Sequence, residues 1–162
     1  MNREIKFRAR AIQDGQWIVG DLIHKRHNGD EEVIIQELNG CGTDCDIHTV
    51  GQFTGLKDKN GREIYEDDIL RVKEYENLLV KEFSEDVNRF DMFTLEEIKG
   101  EKRMEYVSPI IWKEGELLIS TDDFDMCIAA IFGDMKYSSP LFEFEVIGNI
   151  HENPELMKGG RR

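Results

Sequence analysis

Cys41, Cys45 and His48 stand in a C-x3-C-x2-H arrangement, with His24 and His27 upstream as further ligand types. Zinc takes four nitrogen or sulfur ligands in a tetrahedron, and thiolates in a turn would supply two or three of them. Structural zinc sites usually pair two short knuckles, and only one stands here. The plainer reading is a polar loop with free thiols and no metal. Glu66, Asp67 and Asp68 raise acid–base or divalent-metal chemistry, because adjacent carboxylates push each other's pKa apart. Neighbours in an extended segment point to opposite faces, so at most Glu66 and Asp68 converge, and a solvated turn is expected. Asp58-Lys59-Asn60-Gly61 is no calcium loop, since its glycine falls at position four and such loops need it at six. Gly-x-Ser-x-Gly, the P-loop and the dinucleotide fingerprint are all absent. The chain is therefore expected not to be an enzyme, with no catalytic residue and no cofactor.

Lys6, Arg8 and Arg10 form a second kind of candidate, because alternation in a strand puts all three on one face. The functional reading is a phosphate-binding stripe. The structural alternative is a strand whose cations pair with an acidic neighbour, one carrying Glu31 and Glu37 or Glu143 and Glu145. The second is favoured. The aromatic residues Phe53, Tyr65, Trp112 and Phe142 are candidates to line a groove, although such residues are more often core. Cys127, alone in an apolar stretch, reads as a small buried hydrophobe.

Charge and composition narrow the function further. The chain has 162 residues, with 21 Lys plus Arg against 34 Asp plus Glu, a net charge of −13. Non-specific nucleic-acid binding draws on Lys and Arg displacing counterions, so nucleic acid is not the expected partner. Docking on anionic lipid is disfavoured for the same reason. The acidic residues are spread along the chain: net −3 over 1–50, −5 over 51–110 and −5 over 111–162. No apolar run approaches the ~20 residues of a membrane span. The N-terminus MNREIKFRAR is charged and lacks the apolar stretch of a signal peptide. Three cysteines without a secretion signal point to a reducing compartment, so a cytoplasmic location with no membrane partner is expected. Leu, Ile, Val and Phe make up 45 residues, enough to build a core.

The elements that must position these residues are mostly strands. Ile5, Phe7, Ala9 and Ala11 alternate with charged residues. Asp14-Gly15 makes a turn into a strand carrying Trp17 and Val19. Asn28-Gly29-Asp30 and Asn39-Gly40 bracket a third strand, Glu31 to Leu38. An antiparallel meander over 1–50 is expected. Asp58 to Gly61 is the strongest turn in the chain. Ser84 as N-cap, Val87, Phe90 and Phe93 at helical spacing, and Gly100 as a stop predict a short helical insertion over 84–100. Strand character returns after Ser108-Pro109, with a hairpin around Glu114-Gly115. Thr121 to Pro140 fits either a short helix or a loop. Phe142, Phe144 and Val146 alternate with Glu143 and Glu145 in a last strand, and Asn153-Pro154 starts a final turn.

Three stretches, REIKFRA (3–9), GQFTGLKDKNGREIYEDDI (51–69) and EVIGNIHENPEL (145–156), occur in an order that resembles the YopX family of small phage and prophage proteins. YVSPIIWKEGELLIS (106–120) looks like that family's barrel hairpin. The resemblance implies a mainly β protein of phage or prophage origin with an SH3-like small β-barrel over 51–157, following the 1–50 segment. Arg10, Asp67 and His151 depart from the family pattern, as does the 84–100 stretch. Asp67 replaces a glycine there, which alters the backbone demand of that turn.

The expected function is a non-enzymatic protein-interaction module acting in the bacterial host cytoplasm. Its partners would be a second copy of itself through exposed strand edges, or a host or phage protein. Two alternatives stand beside it. One is an acidic decoy that mimics DNA toward a host nucleic-acid-binding protein. The other is a nucleic-acid-binding barrel that uses Lys6, Arg8 and Arg10.

Overall fold

The computed structural model describes residues 4–27, 29–77, 99–113, 116–120, 125–127 and 141–158. Among these the chain is mainly β, with eleven strands, two antiparallel sheets and two short 3-10 turns. It forms two compact units, Met1–Asp68 and Ile69–Arg162.

The first unit holds β1 (Phe7–Arg10), β2 (Trp17–His27), β3 (Asp30–Gln36), β4 (Gly42–Cys45), β5 (Gly51–Lys57) and β6 (Glu63–Tyr65). They lie in the order β4-β3-β2-β1-β5-β6. Gly15 turns the chain from β1 to β2 at φ 71, a conformation a side chain would strain. The register of that hairpin sets Arg8 opposite Val19 and Arg10 opposite Trp17. The segment around Cys41 and Cys45, expected as a loop, pairs instead with β3, Cys45 opposite Val33. A single bridge then joins Cys45 to Ala11 at the end of β1. Backbone bonds from Ile12 to Asp44 (3.0 Å) and from Asp46 to Arg10 (2.8 Å) flank that bridge. The first four strands thereby curl round a core of Ala9, Val33, Ile35 and Cys45, with Phe7, Ile18, Leu22, Ile47 and Val50 packed against it. Each large apolar side chain so buried contributes about 1.5–3 kcal/mol.

The hairpin from β5 to β6 also belongs to this sheet, where the sequence divides the chain after residue 50. Its turn is built by Asp58, whose Oδ1 accepts from the amides of Asn60 (2.8 Å) and Arg62 (2.9 Å). Gly61 takes φ 79. Asn60 is not in the left-handed region, so the strands are joined by the five residues 58–62 and not by a two-residue Asn-Gly turn.

The second unit holds β7 (Asp68–Asn77), β8 (Lys99–Lys113), β9 (Glu116–Ser120), β10 (Asp125–Cys127) and β11 (Leu141–Asn149), in the order β10-β9-β8-β7-β11. Asp68 opens β7 in sequence and closes the first unit in space. Pro109 lies inside the long β8, opposite Ile69, just where β8 changes its partner from β7 to β9 at Ile110. A residue without an N–H costs little at such a handover. Ile69, Leu70, Val72, Tyr106, Ile110, Ile119, Phe144 and Val146 are buried. On β11 the alternation of Phe and Glu holds: Glu145 pairs with Arg71 (3.0 Å) and Glu143 with Lys73 (3.9 Å). The last turn, Pro154–Lys158, begins after Asn153 as expected. Asn149 Oδ1 organises it, accepting from the amides of His151 and Glu152 (3.0 Å each).

Neither sheet closes into a barrel among the described residues: of the 51–157 span expected as an SH3-like barrel, β5 and β6 belong to the first sheet, and β7 to β11 form an open sheet with β10 and β11 as its edges. The expected helix lies outside the described residues, apart from Lys99 and Gly100, which begin β8. Of Thr121 to Pro140 only Asp125–Cys127 is described, as strand. Among the described residues no helix is long and apolar enough to cross a membrane.

Candidate functional site

Four of the six candidate residues converge on one face of the first sheet. Alternation along β1 sends Ala9 to the core and Arg8 to the other side. The β1–β2 hairpin brings the Trp17 ring to 4.7 Å from the Arg8 guanidinium. From the other flank, the Phe53 amide donates to the Lys6 carbonyl (2.9 Å) and Tyr65 stands opposite Phe53. The two rings are 5.4 Å apart, and Tyr65 lies 4.8 Å from the guanidinium. Arg8 is thus held between an indole and a phenol, a favourable setting for a flat, weakly hydrated cation.

Its charge is met by Asp68. Arg8 Nη2 donates to Asp68 Oδ1 (2.7 Å) and to the Glu66 carbonyl oxygen (3.3 Å). Asp68 Oδ2 accepts from the Tyr65 amide (2.8 Å). Asp68 is 0 % exposed and Arg8 7 %. Burial pushes the Asp68 carboxyl up, and the Arg8 charge and Tyr65 amide pull it back only in part. Arg8 Nε is buried with no hydrogen-bond partner among the described residues, which leave that donor of the guanidinium unmatched. Glycine at 51 makes room for the turn, because a Cβ there would sit 2.8 Å from the Glu66 carbonyl oxygen. Glu66 points away to accept from the Gln52 amide (3.0 Å), and Asp67 takes φ 65, the left-handed region. The three acids therefore diverge, and Asp68 is a buried ion-pair member where a solvated turn was expected.

Lys6 extends the cluster. Its Nζ meets Glu63 Oε1 (2.8 Å) and Glu4 Oε2 (3.2 Å) and lies 4.8 Å from the Phe53 ring centre. The Tyr65 hydroxyl donates to Glu63 Oε2 (2.8 Å). Lys6 holds the Glu63 carboxyl below its usual range, and Glu63 raises Lys6 in return. Burial, then the Glu63 carboxylate, keeps the Tyr65 phenol protonated far above the usual phenol range. The chemistry of such a cluster is cohesive. The phenol is held in its acid form, and the cations Lys6 and Arg8 face internal carboxylates.

Arg10 shares the face but turns aside, its Nε donating to the Gly15 carbonyl (3.1 Å). Trp112 is on β8 of the second unit, opposite Leu117, and its side chain lies outside the described residues. The acidic neighbours expected for the basic strand are corrected. Glu31 pairs with Arg26 (2.6 Å), Glu143 and Glu145 serve β7, Lys6 uses Glu63 and Arg8 uses Asp68. Sequence reasoning did not connect Trp17, Glu63 or Asp68 with the basic strand, and it placed Asp68 in a solvated turn. The signal for Glu63 was its parity with Tyr65, and for Trp17 the two-residue step from Gly15 that sets it opposite Arg10.

The cysteine loop is divided between core and solvent. Cys45 is buried, its thiol donating to the Thr43 carbonyl (3.3 Å), and burial raises it, which favours the protonated form. Cys41 and His48 are exposed. Among the described residues no three His, Cys, Asp or Glu side chains form a group able to hold a metal ion.

No curated protein matches this sequence. A solved structure, the crystal structure of protein EF1440 from Enterococcus faecalis, is similar at 24% identity with a TM-score of 0.45, covering 95% of this chain and 98% of that one. The family model described as YopX protein matches residues 6–158. That span takes in Lys6, Arg8, Phe53, Tyr65 and Asp68 and both sheets, and on it the chain belongs to the YopX family.

Proposed function

We propose that the chain is a non-enzymatic protein-interaction module, encoded by a phage or prophage and acting in the bacterial host cytoplasm. The observation that carries this reading is the fate of the basic strand. Lys6 and Arg8 face internal carboxylates and aromatic rings, which leaves no row of free cations for phosphate. Apolar side chains remain at the surface of the first unit instead: Ile5, Ile12, Val19, Ile23 and Leu38 are exposed. Scattered exposed residues are ordinary, but a basic strand spent on internal carboxylates beside exposed apolar side chains suits a protein partner better than nucleic acid.

The phage origin and cytoplasmic location rest on the family resemblance, and self-association on the sheet edges. Five antiparallel strands in the second unit support an SH3-like reading of its fold. The acidic-decoy reading has one observation in its favour: Asp14, Asp21, Asp30, Glu32, Asp44 and Asp46 are all exposed on the first unit.

Capture of partners by the tagged chain from bacterial lysate, at low and at high salt, tests the proposal. One host or phage protein, or the chain itself, is expected. Capture at low salt only favours the decoy version. Recovery of nucleic acid without protein would overturn both.

A further inference from the structure

The curl of the first four strands is open at one end, and a cavity of about 850 Å³ lies there. That volume is in the range of ligand-binding clefts. Its floor is apolar, made by Ala11, Val33 and Ile47. Its rim carries Glu32, Asp44 and Asp46, all exposed, and none of them has an ion pair among the described residues. Ile12 also lines it and is 68 % exposed, a large apolar side chain left in water at the lip. The remaining carboxylate, Glu31, is matched by Arg26, and the one lining cation, Arg10, is tied to the Gly15 carbonyl.

We propose that this mouth is a docking groove for a basic peptide segment of a partner protein, one carrying two or more Lys or Arg residues and a large apolar side chain. The inference rests on the interaction-module reading and names its partner class. Charge complementarity selects the occupant. The rim's three carboxylates have no ion pair among the described residues, so it disfavours phosphate and carboxylate ligands. Its carboxylates are too dispersed to gather round one metal ion. Dispersed charges are matched by cations spread along a chain, with salt weakening the attraction. A small polyamine would satisfy the rim but leave Ile12 and the apolar floor uncovered. A peptide bearing an apolar residue between its cations covers both.

The test uses the full chain and a fluorescein-labelled peptide of alternating Lys and Leu. Saturable binding that weakens with salt is expected. Amide shifts in the 15N-labelled protein should be largest at Ile12, Val33, Asp44 and Ile47. The double charge reversal Glu32→Lys, Asp44→Lys is expected to weaken binding at least ~10-fold, as two lost charge contacts imply. Ile12→Ser should weaken it several-fold. All three positions are exposed, so the variants are expected to keep the wild-type thermal transition. Spermidine should compete at least ~10-fold less well than the unlabelled peptide, for want of an apolar group. Absence of binding, shifts that map elsewhere, indifference to the charge reversal, or equal competition by spermidine would each overturn the proposal. Lysate capture with the double reversal separates the two claims. A partner held equally by both forms overturns the groove alone. Peptide binding with no protein captured by the wild type overturns the module reading alone.

Discussion

Asp68 holds Arg8 in place between two rings, with Nη2 and Oδ1 2.7 Å apart and both side chains out of water. The pair links the first strand of the unit to its last residue, 60 positions later, and the same carboxylate accepts the Tyr65 amide. A buried ion pair is weak evidence of net stabilisation, but breaking it from one side is costly.

Arg8→Lys keeps the charge and loses the flat surface that stacks on Trp17 and Tyr65. It is expected to cost about 1–2 kcal/mol in urea unfolding. Asp68→Asn keeps the shape and has only one oxygen for two donors, so its amide must face either Arg8 or the Tyr65 N–H. A cost of about 3 kcal/mol is expected.

The Lys6–Glu63 pair sets a pH window. Glu63 is lowered in the folded state, so its contribution is present above the ordinary 4.5 and fades as pH falls through the lower folded value. Lys6 is raised, so its contribution is present below 10.5 and fades as pH rises through the higher folded value. Glu63→Gln should cost about 1 kcal/mol at neutral pH. The difference from wild type should shrink below pH 4.5, measured by urea unfolding along a pH series. A cost that grows in acid would contradict the sign.

Two phenols should resist ionisation. Burial pushes Tyr106 up to about 12 and Tyr65 higher still, against an ordinary 10. In an ultraviolet titration of the folded chain both should remain protonated through the usual phenol range. Their contribution to stability is fully present below pH 10 and lost as pH rises through the folded values. Loss of the late-titrating signal in Tyr65→Phe and in Tyr106→Phe, one phenol each, is the expected assignment.

Asp67 sits at φ 65, the one non-glycine residue with positive φ among those described. The left-handed conformation costs roughly 1 kcal/mol for a side-chain residue, and glycine avoids it. Asp67→Gly is expected to raise stability by up to about 1 kcal/mol. Gly61→Ala, at φ 79, should lower it by a similar amount. Thermal unfolding of the two variants beside the wild type checks the opposite signs.

The strands and most turns were legible because alternation and Gly-Asp-Asn punctuation are local signals: β1, β2, β3, β11 and the Asp58 turn stand where the pattern places them. So was the convergence of Lys6 with Arg8, which follows from period-2 geometry. Their partners were not legible. Asp68 lies 60 positions from Arg8, and nothing in an acidic run tells which carboxylate is buried. The adjacent Asp67 and Glu66 have the same chemistry and go elsewhere because one backbone residue turns left-handed. β4 escaped notice because Gly42–Cys45 has no apolar alternation. Its pairing is dictated by β3 and the return to Ala11, both non-local.

A double-mutant cycle on Arg8→Met and Asp68→Leu, followed by urea unfolding, tests most directly whether the basic strand serves the fold. Each single change leaves half of a buried pair exposed to its own desolvation, while the double change replaces it with apolar packing. A double variant more stable than the sum of the single losses by about 2 kcal/mol or more is expected. Losses that add to within about 0.5 kcal/mol would mean that Arg8 and Asp68 do not depend on each other, and would return Arg8 to the set of cations free for a ligand.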